Sequence, residues 1–464
     1  MFPERISTMS GRKRKILILA GWLCIWQAVS FMCGNSILMV GPLETVGALI
    51  KNGLEPRFWQ TVPASFARIM EGLMAGIVAG VLLAGVSYRC KIAEEIFQPV
   101  MTLVKAVPVA SFTVLLLIWW GSAHLSTGIC LLVVLPQIYV NTLAGLKNTD
   151  KRLLEMAKVY KLPAWNRFFY IYRPALRPFL ESGLKIAIGL AWKSGVAAEV
   201  IGTPDFSIGE RLYMSKIYLD TAGVLAWTAV TILLSVLTEK ILGELLKKAW
   251  CYQPACRKPV SCQRKNSRQE KSRQESSPQE SSHQENDGIC LSARNLWKSY
   301  DREPVVQDFN REYRIGECCY YTTPSGSGKT TLFRLLAGLE QPDRGKISGS
   351  ENVAMMFQED RLCREYSAVK NVEMVTGDSR AAREALERLL PAEVLDQPVS
   401  QLSGGMCRRV ALVRAMEAET CCCLLDEPYT GLDRENMCRA AEYIKEKGQD
   451  KALLIATHSR IEEN

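Results

Sequence analysis

The sequence predicts an all-α, polytopic membrane domain of about six transmembrane helices, followed by a C-terminal α/β domain of the phosphate-loop kind. Three observations carry this. Long apolar runs stop near residue 250 of the 464. A tract of polar repeats follows. Beyond it, 325-SGSGKTT-331 lies between a strand-like segment and a helical pattern. The expected division is 1–248 for the membrane domain, 249–287 for a disordered linker and 288–464 for the nucleotide domain.

The first part is justified by its apolar runs and by charge. About 20 apolar residues cross a bilayer as a helix. Candidate spans are 16–34, 64–88, 98–121, 124–146, 180–200 and 222–246. The chain is basic, with 57 Lys and Arg against 48 Asp and Glu and a net charge of +9. These basic residues mostly flank the apolar runs, as the positive-inside rule expects. The excess therefore points to membrane lipid and not to nucleic acid. Placing 11-GRKRK-15, 89-RCK-91, the basic loop 147–178 and the stretch after 246 inside gives six spans with both termini cytoplasmic. The first run is long and lacks a small-x-small cleavage site, so it reads as a retained membrane helix and not a signal peptide. Lys193 and Glu199 lie in or near the fifth span, where ionisable residues are functional candidates.

The inside loop 155-EMAKVYKLPAWNRFFYIYRPALRP-178 reads as two short helices broken at Pro163. With one apolar and one basic face, such a protrusion suits docking. It resembles the loop shared by permeases of ATP-binding-cassette importers, E-A-A-x3-G-x9-I-x-L-P. Glu155, Ala157, Ile171 and Pro174 match that pattern. Lys161 stands where the family has Gly, and Arg173 where it has Leu. The resemblance covers most of 35–245 and is nearest the nitrate/sulfonate/taurine type. Supporting fragments are 65-SFARIMEG-72, 107-VPVASFTVLLLIWWG-121 and 190-LAWKSGVAAEVIG-202.

The linker contains four successive SxQEx-like pentapeptides over 267–286 without an apolar residue. Nothing there offsets the entropy of ordering the chain. It reads as a tether reaching roughly 30–40 Å on average. The 16 cysteines show no disulfide framework. Cys421, Cys422 and Cys423 read as small buried hydrophobes in a strand. Cys251, Cys256 and Cys262 read as reduced thiols in a cytosolic linker.

In the last part, backbone N–H groups at a helix N-terminus cradle phosphates. Ser325, Gly326, Ser327, Gly328 and Thr331 are the candidates to line them. Lys329 reaches the β/γ oxygens and the Thr330 hydroxyl ligates Mg²⁺. The full pattern G-x-x-x-x-G-K-[ST] asks for Gly at 323, where this chain has Thr323. That Thr costs about 1–3 kcal/mol if the backbone needs a positive φ. The expectation is a working site with reduced affinity.

Further motifs extend the reading. The stretch 402-LSGGMCRRVALVRAM-416 places a Gly turn at a helix N-terminus, which suits an anion. The stretch 421-CCCLLDEP-428 is an apolar strand ending in two carboxylates. Together they resemble the ATPase domain of ATP-binding-cassette transporters, and the resemblance implies the following roles. Ser403, Gly404 and Gly405 bind the γ-phosphate of ATP held by the opposite subunit. Asp426 holds Mg²⁺ and Glu427 polarises the attacking water. His458 touches the γ-phosphate, Gln358 links Mg²⁺ to the permease, and Tyr300 stacks on adenine. The segment 431-GLD-433 contacts the partner subunit. The chain stops soon after His458, so the domain is expected to be C-terminally short, with an open sheet edge.

The resulting expectation is an ATP-driven importer: a fused half-transporter in a prokaryotic plasma membrane, working as a homodimer or with a related half-transporter. An extracytoplasmic binding protein delivers a small solute, an anion or a small organic molecule. Glu359 and Asp360 are expected to face the basic residues of the docking loop. The alternatives are an exporter of the same superfamily, or a membrane sensor that binds ATP without turnover.

Overall fold

The computed structural model describes residues 11–35, 37–258, 288–301, 303–322 and 326–457. The pentapeptide repeats, Thr323, Ser325 and His458 lie outside the described residues. The chain forms two compact units: Met1–Asn148 with Leu176–Tyr252, and Thr149–Ala175 with Gln253–Asn464. The inside loop thus packs with the soluble half, although it lies within the sequence of the membrane half.

The first unit is helical. Its helices are α1 (Gly11–Cys33), α2 (Pro42–Leu54), α3 (Pro56–Arg89), α4 (Lys91–Ala106), α5 (Val109–Trp120) and α6 (Leu125–Lys147). After the inside loop come α8 (Arg173–Gly202), α9 (Ile208–Ile217) and α10 (Thr221–Cys251). Helices α3, α6 and α10 are long and apolar enough to cross a bilayer. Leu17–Cys33 is a shorter apolar helix. The expected fifth span falls in α8, which carries Lys185, Lys193 and Glu199. The expected span 98–121 is instead two helices, α4 and α5, bent by 101°. The cause is local. Pro108 lacks an N–H and forces Val107 into an extended conformation (φ −73°, ψ 131°), so the helix cannot run through.

Helices α3 and α6 approach closely through Gly72, Gly76 and Gly80. A methyl group added at these positions would lie 2.4 Å from the Thr127 carbonyl, 2.8 Å from Val134 Cβ and 2.9 Å from Ile138 Cβ. This small-residue stripe is the ordinary device for packing helices in lipid, where apolar side chains gain nothing by leaving the tails. Ile69, Leu73, Val134, Ile138, Ile188 and Trp192 fill the core around it. Within this core Glu199 is fully buried. It accepts from Ser65 Oγ at 2.7 Å and from the Gly209 N–H at 3.3 Å, with Arg68 Nη1 at 3.6 Å. Arg68 also donates to the Asp205 carbonyl. The pair therefore pins the turn before α9 to α3 and α8.

The second unit begins with α7 (Lys151–Val159), capped by Asp150, which accepts from the Arg152 N–H. A turn at 160–163 follows, then a short helix Ala164–Arg167 and a π-helical turn Phe168–Tyr172. Lys161 takes φ +49°, the left-handed conformation that favours glycine. Its departure from the family pattern is thus accommodated by the backbone and not avoided.

The soluble part holds two sheets. The antiparallel one is built from β1 (Ile289–Tyr300), β2 (Glu303–Arg314) and β4 (Arg344–Ser348), in the order β2-β1-β4. The parallel one is built from β3 (Cys318–Tyr321), β5 (Val353–Met356), β6 (Cys422–Asp426) and β7 (Ala452–Ala456), in the order β3-β7-β6-β5. Every residue of β5, β6 and β7 is buried, as expected for strands covered on both faces. Cys422 and Cys423 are part of that core. The last described strand, β7, is paired on both sides. The open C-terminal edge expected from the short chain is therefore not at β7. The covering helices are α11 (Lys329–Leu336), α12 (Ala368–Thr376), α13 (Ser379–Glu387), α14 (Gly404–Met416) and α15 (Arg434–Lys447).

Candidate nucleotide site and its link to the inside loop

The carboxyl ends of parallel strands are where open α/β sheets bind ligands. Here those ends carry the phosphate loop after β3, Gln358 after β5, Asp426 and Glu427 at the end of β6, and Thr457 after β7. Strand register aligns them: Tyr321 pairs with Ala456, Ala456 with Asp426, and Leu425 with Met356. The sheet thus gathers residues that are far apart in sequence.

Gly326 and Gly328 have φ of +83° and +84°. A side chain at 328 would also meet the Val305 carbonyl at 2.9 Å. Glycine is required there on both counts. Lys329 and Thr330 open α11, so their backbone N–H groups face the helix N-terminus. Thr330 Oγ1 donates to Asp426 Oδ2 at 3.1 Å. Asp426 is buried, and desolvation pushes its carboxyl above the usual carboxylate range, although the Thr330 hydrogen bond opposes this. A buried carboxylate and a hydroxyl in contact form a hard-oxygen pair that fits Mg²⁺.

Glu427 has φ +53°, a left-handed conformation that costs about 1–3 kcal/mol for a non-glycine residue. It is held there from three sides. Its N–H donates to the Ala456 carbonyl at 2.8 Å, and Thr430 Oγ1 donates to its Oε2 at 3.0 Å. Its carbonyl accepts from Arg408 Nη2 at 2.6 Å.

Arg408 is a site residue to which none of the sequence motifs gives a role. It is 4% exposed. Nη1 donates to the carbonyls of Phe357 and Gln358, both at 2.9 Å, and to Asp360 Oδ1 at 3.0 Å. Nη2 donates to the carbonyls of Asp426 and Glu427. One guanidinium thus joins α14 to the loops after β5 and β6. The available signal was a pair of arginines in a helix that is otherwise apolar enough to be buried.

Gln358 is exposed, with its backbone fixed by Arg408. Ser403 caps α14 by accepting from the Met406 N–H. Ser403 and Gly404 are exposed, and Gly405 lies against the Gly431 carbonyl, where a methyl group would approach to 3.2 Å. Tyr300, at the end of β1, is 43% exposed, and its hydroxyl donates to Glu340.

From Glu340 a chain of ion pairs leads to the inside loop. Glu340 pairs with Arg334 on α11, and Arg334 with Glu155 on α7. Arg361 Nη1 donates to Glu155 Oε2 at 2.6 Å. The Arg334 guanidinium, helped by Arg361, holds the Glu155 carboxyl below the usual carboxylate range. Ala157 and Ile171 are buried, the Tyr160 hydroxyl donates to the Met355 carbonyl at 2.9 Å, and Lys158 donates to the Gly338 carbonyl. Lys161 and Pro174 mark the turn and the entry to α8. Of the two acids expected to face the loop, Glu359 does, pairing with Arg152 at 2.9 Å. Asp360 turns inward to Arg408 instead.

Comparison with known proteins identifies both halves of the chain. Residues 76–248 match the binding-protein-dependent transport system inner membrane component family, and 306–430 match the ABC transporter family. An aliphatic sulfonates import ATP-binding protein of Paraburkholderia xenovorans is 35% identical over 176 residues, covering 37% of this chain and 71% of that protein. One from Pseudomonas savastanoi pv. phaseolicola is 40% identical over 183 residues, covering 37% and 68%. A sulfate/thiosulfate import ATP-binding protein of Mesorhizobium japonicum is 36% identical over 176 residues, covering 33% and 51%. A helical membrane half that matches a transport-system component, joined to a soluble half with a phosphate loop and paired carboxylates, leads to one identity: this chain belongs to the ATP-binding-cassette transporters, as an importer-type, multi-pass permease fused to the ATPase that drives it.

Proposed function

We propose that two copies of this chain, or one copy and a related half-transporter, take up a small anion of the sulfonate or sulfate class. The relatives' names carry the choice of anion. An extracytoplasmic binding protein delivers the solute. The ATPase domain, 288–464, and both termini lie in the cytoplasm, and 1–248 forms the permease.

Each ATP lies between Lys329 of one subunit and Ser403, Gly404 and Gly405 of the other; the exposure of Ser403 and Gly404 at the start of α14 suits that role. Lys329 and the loop of Ser325, Gly326, Ser327, Gly328 and Thr331 bind the phosphates, and Tyr300 stacks on adenine. Thr330, Asp426 and Gln358 would hold Mg²⁺, which neutralises phosphate charge when bound. Glu427 takes the proton of the attacking water, and His458 steadies the γ-phosphate.

The observation that carries the coupling is the Glu155–Arg334 pair, because Arg334 sits on the helix that Lys329 opens. Motion at the phosphates therefore reaches the inside loop through one rigid helix. The test is ATPase activity in lipid nanodiscs beside Glu427→Gln, followed by uptake of labelled sulfonate or sulfate with the binding protein. Turnover that survives Glu427→Gln, or no uptake of either anion, would overturn the corresponding part of the reading.

A further inference from the structure

The segment just past the last membrane helix was expected to be free tether, yet its first residues are docked. Pro254 is buried, and its carbonyl accepts from the Tyr170 hydroxyl at 2.7 Å. Cys256 packs against the core of the soluble unit, with its sulfur 3.3 Å from the same hydroxyl. Asn166, fully buried, grips Arg257 at two points: Nδ2 donates to the Arg257 carbonyl at 2.9 Å, and Oδ1 accepts from the Arg257 N–H at 3.0 Å. The Arg257 guanidinium lies 4.6 Å from the centre of the Trp165 ring. The other side touches the ATPase. Asn166 Nδ2 also reaches the Met374 carbonyl at 3.3 Å, and Lys258 lies where a methyl group on Gly377 would strike it at 2.3 Å.

We infer that residues 253–257 are a docking strap, which completes the surface on which this chain's own ATPase domain sits. The receptor is made of two pieces distant in sequence, the inside loop 149–175 and the strap. Asn166 reads the strap through its backbone, as a neighbouring strand would. Tyr170 and Trp165 add a hydroxyl and a ring face.

The consequence is kinetic as well as energetic. A linker that floats from residue 249 would let the ATPase domain dock on either of two loops. A linker that starts at the docking site, after residue 258, raises the effective concentration of the domain at its own loop. The strap therefore biases docking toward cis. Composition agrees: 252-YQPACRK-258 carries aromatic, apolar and proline residues, whereas the repeats after 266 carry no apolar residue.

The test introduces a protease site into the repeats of the full chain and cleaves it in nanodiscs. Release of the ATPase domain is followed at about 1 M salt, where a Debye length of about 3 Å screens the surface ion pairs. The unsubstituted strap is expected to retain the domain. Asn166→Ala with Tyr170→Phe should release it about tenfold faster, the effect of roughly 1.4 kcal/mol of lost hydrogen bonding. A second variant replaces 253–257 by Gly and Ser, leaves the loop unaltered, and should behave likewise. Binding of a fluorescent ATP analogue by the released domain checks that it is folded. Equal release from all three, or immediate release from the unsubstituted chain, would overturn the strap. Should the Gly/Ser chain fail to fold, Tyr170→Phe alone decides the matter, because it keeps the ring and removes only the hydroxyl.

Discussion

Arg334 donates through Nη1 and Nη2 to the two carboxylate oxygens of Glu155, at 3.1 and 3.0 Å. This two-pronged pair has geometric specificity that a lysine could not supply. It joins the helix under the phosphates to the loop that leads into the permease.

Glu155→Gln keeps the shape and removes the charge. Both partners are partly exposed, so the loss is screened to about 1–2 kcal/mol. Solute-stimulated ATPase activity is expected to fall about tenfold while ATP binding persists. Undiminished stimulation would remove the pair from the coupling path. The pH dependence follows from its direction. Glu155 is depressed below its ordinary 4.5, so its contribution is complete above that pH and is lost only as pH falls through the lower folded value. Coupling through this pair should therefore be flat from roughly pH 6 to 8.

Glu359 and Asp360 are adjacent but should respond differently to charge reversal. The Arg152–Glu359 pair is 62% and 48% exposed, and such pairs contribute about 0–1 kcal/mol. Asp360 pairs with Arg408, whose side chain is 5% exposed. Glu359→Lys should leave the melting temperature nearly unaltered, and Asp360→Lys should lower it clearly. Thermal unfolding of the two purified variants checks the order.

Arg408→Met removes the guanidinium that bonds Phe357, Gln358, Asp360, Asp426 and Glu427, and leaves only Arg414 on α14 to hold the Asp360 and Arg361 carbonyls. Several backbone carbonyls and Asp360 would lose a charged donor at once. A loss of about 3–5 kcal/mol is expected, typical of breaking a buried charged contact. ATP affinity should fall with it, because the Glu427 carbonyl is one of the freed groups. Denaturant titration with and without ATP separates the two effects.

Lys161→Gly should stabilise. Lys161 occupies a left-handed backbone that costs about 1–2 kcal/mol for a side-chain-bearing residue, against about 0.5–1 kcal/mol of extra chain entropy for glycine. A gain of a few tenths to about 1 kcal/mol is expected in the docking loop. Slower hydrogen exchange over 155–163 would show it; faster exchange would mean that the Lys161 side chain contributes more than its backbone costs.

The fold class was legible because it rests on composition and period, whereas the packing of Thr149–Ala175 with the second unit was not. The motifs that the structure gathers at the strand ends were legible where they fix residue types at short range: Gly326, Gly328, Lys329, Thr330, Asp426 and Glu427. The break at Val107–Pro108 was written in the proline and was overridden by the apolar run around it. Arg408, Arg334 and Arg361 were not legible. Their partners are backbone carbonyls or a carboxylate from distant segments, and no local pattern records such a pairing.

Local chemistry by itself determined that this protein has apolar helices, a polar tract and a phosphate loop. Glu155 was marked as a docking residue by the resemblance of its loop to the importer-permease pattern and not by local chemistry. Only the tertiary structure decided what Glu155 docks on, which of Glu359 and Asp360 faces the loop, and that residues 253–257 are bound and not free. The physical reason is range. Helix propensity, turns and glycine conformations are properties of neighbours in sequence. Hydrogen bonds such as Asn166 to Arg257, or Arg408 to Asp426, exist only once packing has brought their two segments together.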